Sequence, residues 1–188
     1  MNKSLSSLNC FPSWEEFHTI IFDFDGIFTN NKVLVDENGE EIVICDRSDG
    51  LAFDILRKFI ELKKWDVEFF VLSTEVNDVV KKRCQKLKIK CHHGIKNKKL
   101  FIVSYLKDRF GEDDFSRKGL IYLGNDINDL SSMEYAGFSV APKDSHHIIR
   151  ETADIILDVK GGDGFVRCFI EKLLKINYEV IKKYSLFD

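Results

Sequence analysis

The sequence has little of what marks an exported, membrane-spanning or nucleic-acid-binding chain. No apolar stretch reaches the roughly 18 residues a membrane span needs. The opening MNKSLSSLNCFPSWEEF reads as too polar for a secretory signal. Its five cysteines, Cys10, Cys45, Cys84, Cys91 and Cys168, include no CxxC pair, so free thiols in a reducing cytoplasm are expected. Cys91 adjoins His92 and His93 but lacks the second ligand cluster that zinc would need. A net charge of -3 denies the surface a general basic field, so no nucleic-acid partner is expected. Local positive runs, at 81–90 and 96–99, read first as solvated helix faces. There are only two prolines, no internal repeat and no low-complexity tract. A chain of 188 residues with 44% hydrophobic side chains suits one domain over 1–188, with a core at about 17–175 and a helical tail at about 176–188.

What is present is a regular alternation of strand-like and helix-like segments. Buried strands are expected at 18–25, 67–72, 120–123, 138–140 and 155–157, and a short one at 89–91. The β-rich runs 32–36 and 41–45 flank Glu37-Asn38-Gly39-Glu40 and read as a hairpin. Helices are expected at 50–63, 76–88 (with Val76, Val79, Val80 and Leu87 inward), 97–109, near 127–135, near 145–150 and over much of 164–184. Strands separated by helices imply parallel pairing in a three-layer α/β sandwich with a Rossmann-like sheet. In such sheets the ligand crevice lies beyond the carboxyl ends of the strands.

The residues after each strand therefore belong to one candidate site. They are Asp23, Asp25 and Gly26; Ser73 and Thr74; Lys96, Lys98 and Lys99; then Gly124, Asn125, Asp126 and Asp129. Phosphoryl transfer needs such a set. A carboxylate can attack phosphorus in line and form an acyl phosphate. A hard divalent cation, Mg²⁺, with oxygen ligands offsets the repulsion between the two anions. Asp25 lies two residues beyond Asp23, so on a regular strand it faces the same side and can serve as acid and base. Ser73 and a lysine can hold phosphate oxygens. Singly, each piece has a plain structural reading as turn or helix cap; their joint order carries the chemistry.

Together the motifs Asp23-Phe24-Asp25-Gly26-Ile27-Phe28-Thr29, Leu72-Ser73-Thr74, Gly94-Ile95-Lys96-Asn97-Lys98 and Gly124-Asn125-Asp126-Ile127-Asn128-Asp129-Leu130 resemble the haloacid-dehalogenase (HAD) superfamily of phosphatases. The hairpin, Arg47-Ser48-Asp49-Gly50-Leu51, Val140–His146 and Gly161-Gly162-Asp163-Gly164 are similar to its branch of 3-deoxy-octulosonate 8-phosphate and acylneuraminate 9-phosphate phosphatases, which includes the C-terminal domains of acylneuraminate cytidylyltransferases. The resemblance implies an HAD-like fold with a small hairpin flap and no large cap. It implies Asp23 as nucleophile and metal ligand, and Asp25 as general acid/base and metal ligand through its carbonyl. Ser73, Thr74 and Lys98 would bind phosphate, with Asn125 and Asp126 as further metal ligands. Arg47, Asp49 and Gly50 would contact substrate, a small phosphorylated sugar acid of the octulosonate or nonulosonate type. It further implies a homotetramer with active sites at subunit contacts. The alternative it carries is a non-catalytic oligomerisation module. Asn125 stands where many relatives have aspartate, and Ser48, Glu75 and Asp163 stand where arginines are usual. Those losses of positive charge weigh against holding a sugar carboxylate in the relatives' manner.

Overall fold

Apolar runs without alternation belong in strands covered on both faces. A computed structural model describes residues 11–111 and 116–184. Residues 1–10, Cys10 among them, and the end of the expected tail at 185–188 lie outside the described residues. The first strand, β1 (Thr19–Phe22), is buried along its whole length. A hairpin follows, β2 (Thr29–Val35) and β3 (Glu41–Cys45), and then the helix α1 (Ser48–Lys63). Next come β4 (Glu68–Leu72), α2 (Asp78–Leu87), β5 (Lys90–His92) and α3 (Lys98–Phe110). The second half holds β6 (Leu120–Leu123), α4 (Leu130–Tyr135), β7 (Phe138–Pro142), α5 (His147–Thr152), β8 (Ile155–Leu157), α6 (Phe165–Leu173) and α7 (Tyr178–Tyr184).

Six strands form one sheet in the order β5-β4-β1-β6-β7-β8, every neighbouring pair parallel. Its two faces carry separate apolar clusters. Phe53, Leu56, Cys84, Phe169 and Leu173, from α1, α2 and α6, pack on one face. Ile102, Leu106, Met133 and Ile149, from α3, α4 and α5, pack on the other. This is the expected three-layer sandwich. The tail joins the first cluster through Ile176, Val180 and Ile181. Among the described residues no helix is long and apolar enough to cross a membrane.

Two expectations shift. The helix expected from 76 begins at Asp78, because the Asn77 side chain accepts from the Val79 N–H and caps it. Val76 is thereby left outside the helix and is 75% exposed rather than inward. The expected 164–184 helix breaks after Leu173, where Lys175 adopts a left-handed φ of 52°. The flap is a separate two-stranded antiparallel sheet with an irregular register between Thr29 and Val33, where Asn31 has φ 59°. It is the only insertion between β1 and α1, so no large cap stands there.

Candidate active site

Strand β1 lies between β4 and β6, so the crevice opens where these three strands end. The Asp23 N–H donates to the Leu123 carbonyl at 2.9 Å, which ties the first residue beyond β1 to the end of β6. The chain then turns: the Ile27 and Phe28 N–H groups both donate to the Phe24 carbonyl, at 3.2 and 2.9 Å. Phe24 and Phe28 stack at 5.6 Å inside the core and hold the turn from below. Thr29 organises its upper side. Its hydroxyl donates to Asp25 Oδ1 at 3.3 Å and accepts from the Gly26 and Asn31 N–H groups at 3.2 Å each.

Lys98, in the first turn of α3, reaches into this crevice from the opposite helical layer. Its Nζ donates to Asp23 Oδ1 at 2.6 Å and to Asp129 Oδ1 at 2.7 Å. Asp129 Oδ1 also accepts from the Tyr122 hydroxyl at 2.7 Å, and Oδ2 accepts from the Asn125 N–H at 3.0 Å. Asp129 is thus a fully buried anchor that fixes both Lys98 and the loop after β6. Two buried carboxylates share one ammonium here, which leaves an excess of negative charge. Burial accordingly pushes the Asp23 carboxyl up, to about 8; Asp129 pushes the same way, and Lys98 pulls back. Burial alone would lower Lys98, but Asp23 and Asp129 outweigh it and hold its ammonium above the ordinary range. Burial likewise raises Asp25, opposed by the Thr29 hydrogen bond and reinforced by Glu75 and Glu41.

Asn125 is pressed against the turn after β1. Gly26 has φ +74°, and a Cβ there would lie 1.8 Å from Asn125 Nδ2. Asp126 is exposed, and its carboxylate accepts from the Ile127 N–H at 2.7 Å, as a cap of the short turn that leads into α4. Ser73 is buried with its hydroxyl accepting from the Glu75 N–H at 3.0 Å, whereas Thr74 is half-buried. Among the described residues no three His, Cys, Asp or Glu side chains come together as a ready metal cluster. Besides the buried Asp23, the oxygen donors at these strand ends are Asp25 and the side chain of Asn125, which lies against Gly26. This all-oxygen set suits a hard cation that keeps waters, and such a cation would offset the excess negative charge of two carboxylates that share one ammonium.

The three lysines separate cleanly. Lys98 is buried, Lys96 is exposed, and Lys99 lies over the Tyr135 ring at 5.8 Å. Arg47 is exposed and precedes α1, with its carbonyl accepting from the Gly50 N–H at 3.1 Å. Asp49 is wholly buried, and its Oδ1 accepts from the Arg167 N–H at 3.1 Å in the first turn of α6. The structure gives Asp49 this helix-capping position in place of a face open to substrate. Sequence reasoning includes Thr29 in the first motif without giving it a role, and misses Tyr122. A signal for Tyr122 exists, since a hydroxyl in an all-buried strand must find a partner.

Asp49 yields a stability prediction. Burial raises its carboxyl to about 7, and Oδ2 has no hydrogen-bond partner from the protein. A carboxyl raised on folding binds its proton more tightly in the native state. Stability therefore falls as pH rises from about 4 to about 7, and the loss is complete above that. Asp49→Asn keeps the acceptor for Arg167 and removes the charge. At pH 8 it should gain on the order of 1–2 kcal/mol in urea unfolding, with no gain at pH 4. An equal effect at both pH values would rule out the linkage.

No protein-family model matches the chain. A structure described as an HAD family hydrolase of Streptomyces avermitilis shares 35% identity at a TM-score of 0.79, covering 89% of this chain and 91% of that one. The curated 3-deoxy-D-manno-octulosonate 8-phosphate phosphatase of Escherichia coli K12 is 27% identical over 160 residues, 85% of this chain and 80% of that protein. The cobalt-bound form of the Haemophilus influenzae deoxy-D-mannose-octulosonate 8-phosphate phosphatase is 26% identical at a TM-score of 0.73, covering 93% of this chain and 95% of that one.

Proposed function

The chain belongs to the HAD family of hydrolases, and from that premise we propose that it is a Mg²⁺-dependent phosphatase of small phosphorylated sugars that works through an aspartyl-phosphate. The observation that carries this reading is the buried bridge from Lys98 Nζ to Asp23 and Asp129 at the mouth of the parallel sheet. A structural ion pair has no need of this position, directly beyond three adjacent strands.

Asp23 attacks phosphorus, the phosphorus–oxygen bond to the leaving group breaks, and Asp25 gives its proton to the departing oxygen. Asp25 then takes a proton from water as that water attacks the acyl phosphate, which releases phosphate and restores Asp23. Its raised proton affinity, due first to burial, suits both steps. Lys98 and Ser73 hold phosphate oxygens, and Thr74 borders them. Asp23, the Asp25 carbonyl and Asn125 would hold Mg²⁺, which supplies the positive charge that lets the anionic nucleophile meet the anionic phosphate. Asp126, turned to its cap, stands second to Asn125 as a ligand.

The relatives act on 3-deoxy-D-manno-octulosonate 8-phosphate by name, so that sugar acid and the nonulosonate 9-phosphates are the reference substrates. The flap exposes Val33, Leu34, Val35, Ile42 and Ile44, each at least 50%. Such an apolar surface supports a homotetramer in which flaps meet neighbouring subunits.

The test is hydrolysis of p-nitrophenyl phosphate with and without Mg²⁺. Turnover should require the metal. Asn125→Ala should raise the Mg²⁺ concentration for half-maximal rate by about tenfold or more, and Asp126→Ala by less than about threefold. The reverse order would move the ligand to Asp126. Absence of metal-dependent turnover on any phosphosugar would favour the non-catalytic module.

A further inference from the structure

A cavity of about 300 Å³ is lined in part by Asp25, the residue proposed to protonate the leaving group. Phe24 and valines of the flap and α2 form its apolar walls. Its polar lining is Asp25, Asn31, Glu41, Glu75 and Asn77; no lysine or arginine contributes. The two glutamates come from different elements and are both held in place. Glu75 Oε1 accepts from the Val76 and Asn77 N–H groups at 2.7 and 2.9 Å, while its own backbone is tied to Ser73 Oγ and the Gly94 N–H. Glu41 Oε2 accepts from Asn77 Nδ2 at 3.0 Å. Three cations, Lys82, Arg83 and Lys86, line a second cavity of about 800 Å³ that shares Glu41, Val43, Asn77 and Val79 with the first. There they stand among Glu40, Glu41 and Asp78, and Arg83 Nη2 donates to the Asp46 carbonyl at 2.7 Å.

We infer that this site selects phosphate esters whose leaving group is a neutral or amino-bearing polyol, and that Glu75 determines the selection by repelling a carboxylate beside Asp25. The inference rests on the phosphatase reading and sharpens its substrate class. A carboxylate entering the cavity meets two fixed carboxylates and no counter-ion in the lining, and like charges brought together in a partly desolvated space cost affinity. Hydroxyl groups find partners of both kinds, the amides of Asn31 and Asn77 and the glutamate oxygens. An ammonium meets two opposite charges.

Sorbitol 6-phosphate and 6-phosphogluconate differ at one end, a hydroxymethyl group against a carboxylate, and so isolate the effect. With Mg²⁺ and full-length protein, kcat/KM should favour sorbitol 6-phosphate by about tenfold or more. Glucosamine 6-phosphate should do at least as well as sorbitol 6-phosphate. Glu75→Gln keeps the acceptor for Val76 and Asn77 and removes the charge, so it should cut the preference to about threefold or less. A merely structural role for Glu75 would lower both rates and leave their ratio intact. That result, or turnover of 6-phosphogluconate or 3-deoxy-D-manno-octulosonate 8-phosphate as fast as sorbitol 6-phosphate, overturns the inference. Should p-nitrophenyl phosphate be the only ester hydrolysed, inhibition constants against it replace kcat/KM: weaker inhibition by 6-phosphogluconate that Glu75→Gln relieves upholds the inference, and equal inhibition overturns it. Failure to hydrolyse p-nitrophenyl phosphate at all strikes the phosphatase reading itself, and the inference falls with it.

Discussion

Asp23→Asn should reduce phosphate-ester turnover by about 10⁴-fold or more while leaving the protein folded. An amide oxygen cannot form the acyl phosphate, and among the described residues the two neighbouring carboxylates are otherwise engaged. Asp129 is enclosed by Lys98, Tyr122 and the Asn125 N–H, and Asp25 is reserved by its bond to Thr29. The same change should stabilise the metal-free protein at pH 7. Burial raises Asp23 to about 8, so between about pH 4 and 8 its ionisation opposes folding, and the neutral isostere escapes that cost. Added Mg²⁺ should raise the melting temperature of the native protein, and this shift should shrink in Asp23→Asn, which lacks the anionic ligand. Kinetics and thermal unfolding on the same samples separate a lost nucleophile from a lost fold. Residual turnover of more than a few per cent would exclude Asp23 as the attacking group.

Lys98→Met carries the second large effect, on stability as well as rate. Methionine nearly matches the lysine stem in length but leaves Asp23 and Asp129 buried together without their shared cation. Stranding buried charge in this way costs about 3–5 kcal/mol, and losing a donor to the transferring phosphate should lower kcat by about 10²–10³-fold. The two effects can be pulled apart. Adding Asp129→Asn removes one stranded carboxylate, so urea unfolding should recover much of the lost stability while turnover stays low. A Lys98→Met protein as stable as the native one would show that the bridge from α3 to the two carboxylates contributes nothing to the fold.

Much of the fold was legible because the strand runs are unambiguous. Thr19–Phe22 and Leu120–Leu123 carry no outward-facing polar alternation, which only a doubly covered parallel strand allows. Helix boundaries were less legible at Val76, where an apolar residue sat next to a periodic segment and the Asn77 cap decided which side of the boundary it fell on. The choice among Lys96, Lys98 and Lys99 could be made from motif spacing, but their neighbouring positions look alike in composition. Burial of one and exposure of the others follows from the direction in which α3 starts after its Asn97 cap. Asp49 misled for a related reason. The resemblance implied a substrate contact for it, whereas its partner, the Arg167 N–H, lies 118 residues away and leaves no trace nearby in the sequence.

The order of residue types along the chain by itself determined the architecture and the class of chemistry. Strand-end aspartates, a serine and a lysine at fixed steps in an alternating pattern admit few other arrangements, because parallel pairing brings all strand ends to one edge. Tertiary structure alone decided which side chains come together at that edge: Lys98 between Asp23 and Asp129, Asn125 against Gly26, and Glu75 with Glu41 beside Asp25. Those pairings span tens of residues and depend on side-chain burial and direction, which local periodicity does not encode.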